Sequence, residues 1–253
     1  MIADVWNLIF LMLDFKNFGI ISNVNKTWCQ LVSDPLFLKQ AVHTKFAFKA
    51  EDWNKYCGAE TISIQEIEKS FNLLDRNIFE FLKQSSSAFP GKRIMDAHTL
   101  VWIPQNLNGK IATINTFIAT LHLNINAFES IIEQEGSKPF TSGWVLISNH
   151  VLPSSRNKPF VDQKKLTQDL SPYNEMHWRA AKLAELIVCT SAHYLKTRKL
   201  LFDSEPTEMT YIRCEETSLD SHLATRSLDS LNHIISPYKK DYDFIGVASL
   251  FQF

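Results

Sequence analysis

Cys189 and His193 are the two side chains in this sequence whose types and spacing best suit nucleophilic chemistry. Four residues apart on a predicted helix, they share one face, where an imidazole can accept the thiol proton and leave a reactive thiolate. No third group that would orient the imidazole accompanies them, which favours a buried structural pair. Cys214 follows Arg213, whose charge would lower a thiol pKa, but a structural cysteine is again favoured. A cysteine hydrolase that uses Cys189 or Cys214 stays as an alternative function.

The remaining reactive residues do not predict a metal or cofactor site. The eight histidines are scattered, with no HExxH motif and no cluster of two histidines and a carboxylate. The four cysteines show no CxxC or Cys/His ligand spacing, which is typical of reduced, buried thiols in a cytoplasmic protein. With only seven glycines there is no phosphate-cradling loop, so we expect no cofactor.

The tripeptide Arg156-Asn157-Lys158 is the best binding candidate in the C-terminal part of the chain. It lies in a polar loop that runs from Pro153 to Pro159. Arg and Asn side chains make the directional hydrogen bonds that are common in recognition surfaces. We interpret the tripeptide as a candidate for contact with a protein substrate. The alternative is a loop that only caps the helix that follows.

The composition and charge of the chain narrow the classes of protein to which it can belong. The chain has 253 residues, 45% apolar and 21% charged, as expected for one large globular domain or a small one and a medium one. A net charge of −1 gives no reason to expect nucleic acid or an anionic membrane surface as a partner. No apolar run reaches the length of about 18 residues that a membrane span needs. The apolar start carries Asp4 and Asp14 and lacks a basic segment, so we do not expect a secretory signal.

The first helix that the sequence predicts is apolar on nearly every face. Val5, Ile9 and Leu13 recur at a spacing of four, and the residues between them are mostly apolar. Such a helix is either fully buried or shared with a partner. Residues 1–48 are too few to bury it among themselves, and domains of this size usually need association. Periodicity alone favours an ordinary helical subdomain packed on the rest of the chain, and a docking module is the alternative.

An ordered string of residues suggests what the module is. Ile9-Phe10 lies in the first helix, the pattern Val-x-Lys-x-Trp-x-x-Leu runs from Val24 to Leu31, and Asp34-Pro35-Leu36 opens a further helix. Together these parts resemble an F-box. The resemblance implies a bundle of three helices over residues 1–48 that docks on the Skp-family adaptor of a cullin–RING ubiquitin ligase. The implied adaptor-facing or supporting residues are Val5, Ile9, Phe10, Leu13, Val24, Trp28, Leu31 and Pro35.

The resemblance also implies a division of labour within the chain. The protein would catalyse nothing itself and would present an unknown protein substrate through a C-terminal domain of residues 49–253. A second possibility is a decoy that occupies the adaptor without presenting a substrate. The chain begins Met1-Ile2-Ala3 and lacks the Leu-Pro pair with which F-boxes usually open, and a weakened or repurposed module would fit that role.

For residues 49–253 the sequence predicts an α+β domain with a mixed sheet and several helices. No internal repeat is present, which excludes receptors built as solenoids or propellers. Asn108-Gly109 predicts a tight turn. The predicted strands are His98–Ile103, Trp144–Ser148, Thr210–Cys214 and Phe244–Phe253. The predicted helices include one of about twenty residues over Ile64–Leu82, one over Glu175–Lys196 and a helical segment over Ser218–Tyr242.

A second resemblance covers this C-terminal region. The phrases that carry it are Gly91-Lys92 with His98 to Pro104, Asn108 to Lys110, Trp144 to Leu146, Ser155 to Phe160 with Gln163, and Thr210 to Cys214. They are similar to the C-terminal region of F-box-like proteins from intracellular bacteria that live in protists. The resemblance implies an effector that is exported into a host cytosol and borrows the ubiquitin ligase there.

Overall fold

The computed structural model describes residues 47–58, 60–73, 76–170, 178–202, 210–218, 221–229 and 231–253. The eight predicted adaptor-facing residues, and all of the predicted three-helix bundle of residues 1–48 except Ala47 and Phe48, lie outside these ranges. Within them, eight helices and twelve strands form an α+β fold with two mixed sheets, which confirms the predicted class. No helix in the described ranges is long and apolar enough to cross a membrane.

The helices are short except for the last. In chain order they are α1 (Ala50–Cys57), α2 (Ile64–Asn72), α3 (Arg76–Lys83), α4 (Ile94–Ala97), α5 (Ile114–Leu121), α6 (Glu129–Glu135), α7 (Phe160–Gln168) and α8 (Leu183–Thr197). Helix α8 packs against both five-stranded sheets, so it is the element that joins them.

Strands make up most of the remaining structure. They are β1 (Ala47–Phe48), β2 (His98–Ile103), β3 (Asn106–Leu107), β4 (Lys110–Ile111), β5 (Asn124–Asn126), β6 (Gly143–Ser148), β7 (Trp178–Ala180), β8 (Tyr211–Ser218), β9 (Ser221–Asp229), β10 (Asn232–Tyr238), β11 (Ile245–Gly246) and β12 (Ser249–Gln252). β3 and β4 form a separate hairpin. Its predicted turn is confirmed, since Asn108 and Gly109 both have positive φ, as a tight hairpin turn requires.

The first sheet has the order β1-β2-β6-β12-β7. β1 is parallel to β2 and the other neighbours are antiparallel, with Leu100 opposite Leu146 in the central pair. All residues of β2 and β6 are buried, as expected for strands covered on both faces. Continuous runs of β-branched and aromatic residues predicted both strands correctly.

Three buried tryptophans anchor helix α1 to this sheet. The Trp53 indole donates a hydrogen bond to the Trp102 carbonyl oxygen at 3.0 Å, and the rings of Trp102 and Trp144 lie 5.5 Å apart. Phe48 of β1 packs edge-on against Trp53. The sheet and its first helix therefore share one core from Ala47 onward.

The second sheet has the order β11-β8-β9-β10-β5, and it corrects one prediction. The described part of the segment Ser218–Tyr242 is not helical, because it contains β9 and β10, which pair as an antiparallel hairpin. His233 and Ile235 are buried while their immediate neighbours are half-buried, so burial alternates with a period of two. The two strands therefore satisfy each other's backbone hydrogen bonds, and one face of β10 is buried.

The predicted long helix over Ile64–Leu82 is also wrong, because the chain forms two helices, α2 and α3. A single helix would turn Ile64 and Ile78 to the same side, but Ile64 is 71% exposed while Ile78 is buried. Polar contacts fix α2 instead. The Glu66 carboxylate accepts from the Gln105 amide, and the Ser70 carbonyl accepts from the Trp144 indole at 2.8 Å. Two buried hydrogen-bonded groups outweigh the apolar stripe in orienting α2.

Two further boundaries differ from those predicted. The helix expected over Glu175–Lys196 begins only at Leu183, because residues 178–180 form β7 and the Glu185 carboxylate caps the helix by accepting from the Lys182 amide at 2.8 Å. The strand expected over Phe244–Phe253 is two strands, β11 and β12, which belong to different sheets. The chain crosses from one sheet to the other at Val247 and Ala248, both buried.

Buried His98, at the start of β2, should make stability depend on pH. Its ring is 1% exposed and Nδ1 is bonded to the Ile94 carbonyl at 2.8 Å. Burial lowers the His98 pKa from 6.5 to about 4, so the unfolded chain takes up a proton that the folded chain excludes. We expect the free energy of unfolding to fall by about 1.4 kcal/mol per pH unit, or about 3 kcal/mol in all, as pH drops from about 6.5 to about 4.

Urea denaturation at pH 7, 6 and 5 measures this effect. His98→Asn keeps a donor for the Ile94 carbonyl and cannot titrate, so its unfolding free energy should vary less with pH than that of the wild type. His122→Asn is the matched control, since His122 is exposed and has the left-handed backbone that asparagine tolerates. Equal pH slopes for wild type and His98→Asn would refute the assignment.

Candidate functional site

The Cys189 thiol is not arranged as a nucleophile. It is fully buried in α8, and burial raises its pKa well above 9. The His193 ring is bonded through Nδ1 to the Thr99 hydroxyl at 3.1 Å, and burial lowers its pKa to about 4. A neutral thiol and a neutral imidazole cannot form the thiolate–imidazolium pair that the spacing suggested.

Cys214 is also placed as a structural thiol. It is fully buried on β8, and burial raises its pKa well above 9. Arg213 does not activate it, because successive residues of a strand point to opposite faces, and the guanidinium donates to the Asp241 carboxylate at 2.9 Å. Burial raises the pKa of Cys57 to about 12. Among the described residues no group of His, Cys, Asp and Glu could hold a metal ion.

The Arg156-Asn157-Lys158 loop is tied to the second sheet. The Arg156 guanidinium donates to the Thr210 hydroxyl at 2.9 Å and to the Asp243 carbonyl oxygen at 3.4 Å. Asn157 has a left-handed backbone and donates its amide to the Tyr242 carbonyl oxygen at 3.1 Å. The loop is thus a fixed surface feature whose shape is set by residues far away in sequence.

Arg213 and Gln163 hold this loop from beneath. Arg213 donates to the carbonyl oxygen of Lys158 and to Oε1 of Gln163, each at 3.2 Å. Fully buried Gln163 donates in turn to the Ser155 and Ile245 carbonyl oxygens, at 2.7 and 3.3 Å. The sequence analysis gave neither residue a role at this site. The sequence offered one signal for this role. Gln163 and Arg213 are long polar side chains within a helix, α7, and a strand, β8.

An aromatic cluster lies beside the loop and consists of Tyr211, Tyr238, Tyr242 and Phe244. Tyr242 and Phe244 stack with their centroids 5.0 Å apart, and Tyr238 packs edge-on against both. Burial and a hydrogen bond with Tyr211 raise the pKa of Tyr238, so the Tyr238 phenol stays uncharged at neutral pH. Tyr242 is 38% exposed. Tyrosine and arginine side chains of this kind are enriched in protein–protein interfaces.

The predicted adaptor-binding residues, Val5 to Pro35, lie outside the described ranges, so their identification depends on sequence comparison. Residues 3–40 match the family model of the F-box domain. This segment contains all eight residues that the resemblance assigned to the adaptor contact. No curated protein and no solved structure matches the chain. Residues 3–40 are therefore an F-box domain, which precedes the α+β fold.

Proposed function

We propose that the protein is a substrate receptor of a cullin–RING ubiquitin ligase. The F-box domain of residues 3–40 would dock on the Skp-family adaptor, and the α+β domain would present a protein substrate. The family match to residues 3–40 is the observation that carries the proposal. It falls on the segment whose excess of apolar surface calls for a partner.

The state of the cysteines favours a receptor over a hydrolase. Cys189 and Cys214 are fully buried, and burial raises both of their pKa values, so neither offers the exposed thiolate that a nucleophile needs. His193 is bonded to a threonine and not to a thiol. These contacts support a chain that binds a protein and do not support catalysis by Cys189 or Cys214.

We place the substrate contact at the Arg156-Asn157-Lys158 loop and the adjoining aromatic cluster. The loop is fixed by hydrogen bonds to Thr210, Tyr242 and Asp243, so it loses little conformational entropy on binding. The half-exposed rings offer large contact area at low entropic cost. A protein partner fits this combination, and the net charge of −1 does not favour nucleic acid.

The setting in which this receptor acts is a further part of the proposal. The C-terminal phrases between Gly91 and Cys214 resemble those of F-box-like proteins of intracellular bacteria that live in protists. On that resemblance we propose an effector that enters a host cytosol and directs host ubiquitination. The adaptor would then be a eukaryotic Skp-family protein.

Calorimetric titration of the purified full chain with a eukaryotic Skp-family adaptor tests the docking step. We expect a dissociation constant near or below about 1 μM, in the range of specific protein complexes. Circular dichroism of the same sample establishes that the chain is folded. A folded chain that gives no binding heat would overturn the proposal, and the apolar first helix would then belong to a purely structural bundle.

A further inference from the structure

A second polar site lies where β2 packs against α8. It is a cleft of about 180 Å³ between the first sheet and α8. Its polar lining includes Thr99, Asn149 and His193, together with Asp96, His98, Lys196 and Thr197, and Phe48, Met95 and Ala192 supply apolar wall. The Arg156-Asn157-Lys158 loop does not line it.

The hydrogen bonds of the cleft fix which atoms donate and which accept. The Thr99 hydroxyl has one proton, and it donates this proton to Oδ1 of Asn149 at 2.6 Å. The same oxygen must therefore accept from Nδ1 of His193, which lies 3.1 Å away. His193 consequently carries its proton on Nδ1, and Nε2 is a hydrogen-bond acceptor. Asn149 has its oxygen engaged and keeps both protons of Nδ2 as donors.

The Thr99 hydroxyl orients both groups. Both are bonded to one hydroxyl oxygen, that of Thr99. The backbone of Asn149 is fixed as well, since its amide donates to the Ala97 carbonyl oxygen at 2.8 Å and its carbonyl accepts from the Phe202 amide at 3.1 Å. Within the part of the chain that the structure describes, neither Nε2 of His193 nor Nδ2 of Asn149 makes a hydrogen bond.

The charged groups at the cleft are already paired. The Lys196 ammonium donates to the Ala47 carbonyl oxygen and to the Asp52 carboxylate. The Asp96 carboxylate accepts two hydrogen bonds from Arg93, at 2.7 and 3.0 Å. His193 is neutral at physiological pH, because burial lowers its pKa to about 4. Lys199, whose charge also lowers the His193 pKa, does not line the cleft, so a charged ligand would find no unpaired partner of opposite sign among the lining residues.

We propose that this cleft binds an uncharged carboxamide, with the ligand oxygen accepting from Nδ2 of Asn149 and the ligand nitrogen donating to Nε2 of His193. A carboxamide is a small uncharged group that presents an acceptor oxygen and a donor nitrogen on one carbon atom. The hydrocarbon stem would lie against Phe48, Met95 and Ala192. The volume of about 180 Å³ is below that of pockets for drug-sized ligands and suits one side chain. Glutamine and asparagine of a bound protein are the two sources of such a group. The proposal stands on this geometry, whether or not the adaptor binds.

Nuclear magnetic resonance titration of the full chain with small probes tests it. Propionamide reproduces the end of a glutamine side chain and acetamide that of asparagine. Propionate replaces the amide by a charge, N,N-dimethylpropionamide lacks the donor, and 1-propanol offers a hydroxyl. The ¹⁵N resonance of Nε2 in His193 reports directly on hydrogen bonding at that atom. We expect a saturable shift with propionamide or acetamide, and at least tenfold weaker binding of the other three probes. Comparison of the two amides identifies the preferred source.

Two variants separate the ligand contacts from the fold. Asn149→Asp keeps the oxygen that accepts from Thr99 and deletes the donors, and we expect it to abolish the shift at His193. His193→Phe deletes the acceptor, and the Asn149 amide signals should then no longer respond to the probes. His122→Phe, at an exposed histidine, should bind the amides as the wild type does. If either cleft variant fails to fold, the other decides. An Nε2–H tautomer in the wild-type spectrum, or an equal response to all five probes, would overturn the proposal.

Discussion

Replacing Leu13 by aspartate is expected to weaken binding of the Skp-family adaptor at least about 100-fold, or about 2.8 kcal/mol. Leu13 lies in the segment that matches the F-box domain, at the end of the series Val5, Ile9 and Leu13. An aspartate there would bring an unpaired carboxylate into an apolar contact, which costs several kcal/mol unless the charge escapes to water. Calorimetry with the same adaptor measures the loss.

Val161→Asp is the matched control for this experiment. Val161 lies on α7 of the α+β domain and is 78% exposed, so the same gain of one negative charge should leave adaptor binding unchanged. Trp28→Ala should also abolish binding, either by removing a contact with the adaptor or by unfolding the F-box domain. Circular dichroism on each variant separates the two effects. If both variants are folded and bind the adaptor as tightly as the wild type, then Leu13 and Trp28 do not belong to the docking site.

Replacing Arg213 by methionine is expected to lower the free energy of unfolding by about 3 kcal/mol. Arg213 is 2% exposed, yet it bonds the Asp241 carboxylate, the Gln163 side chain and the Lys158 and Lys240 carbonyl oxygens. Methionine fills similar volume but leaves buried oxygens without a donor, which costs more than the bonds themselves contribute. The same change should loosen the Arg156-Asn157-Lys158 loop.

Urea denaturation followed by circular dichroism gives the unfolding free energy of the Arg213 variant. Arg213→Lys keeps the charge but cannot bond several oxygens with one planar group, so its stability should fall between those of the wild type and Arg213→Met. Arg198→Met is the control, because Arg198 is exposed and its loss should change stability by less than about 0.5 kcal/mol. A loss for Arg213→Met no larger than this control would mean that the buried network contributes little.

The strands and turns that the sequence predicted correctly are those with strong local signals. His98–Ile103 and Trp144–Ser148 are unbroken runs of strand-forming residues, and Asn108-Gly109 has little alternative to a tight turn. The errors arose where distant contacts decided the outcome. Helix α2 is oriented by Gln105 and Trp144, which the periodicity of Ile64–Leu82 cannot reveal.

The candidate sites show the same limit. Cys189 and His193 were adjacent on the predicted helix, but His193 is bonded to Thr99, which lies 94 positions away in the chain. The pairing of β2 with β6 and the packing of α8 on β2 create that contact, and neither can be read from local spacing. The loop at Arg156 was recognised from its composition, while its supports Gln163 and Arg213 became evident only from their buried hydrogen bonds.

Strand β1 limits the length of chain between the F-box match and the first sheet. The F-box match ends at Gln40, and Ala47 is already hydrogen-bonded into the first sheet beside Leu100. Even fully extended, the chain between them spans no more than about 25 Å. In the proposed receptor function, this short connection would keep the α+β domain close to the docked ligase. The length of the connection would then limit which lysines of a captured protein the transferring enzyme can reach.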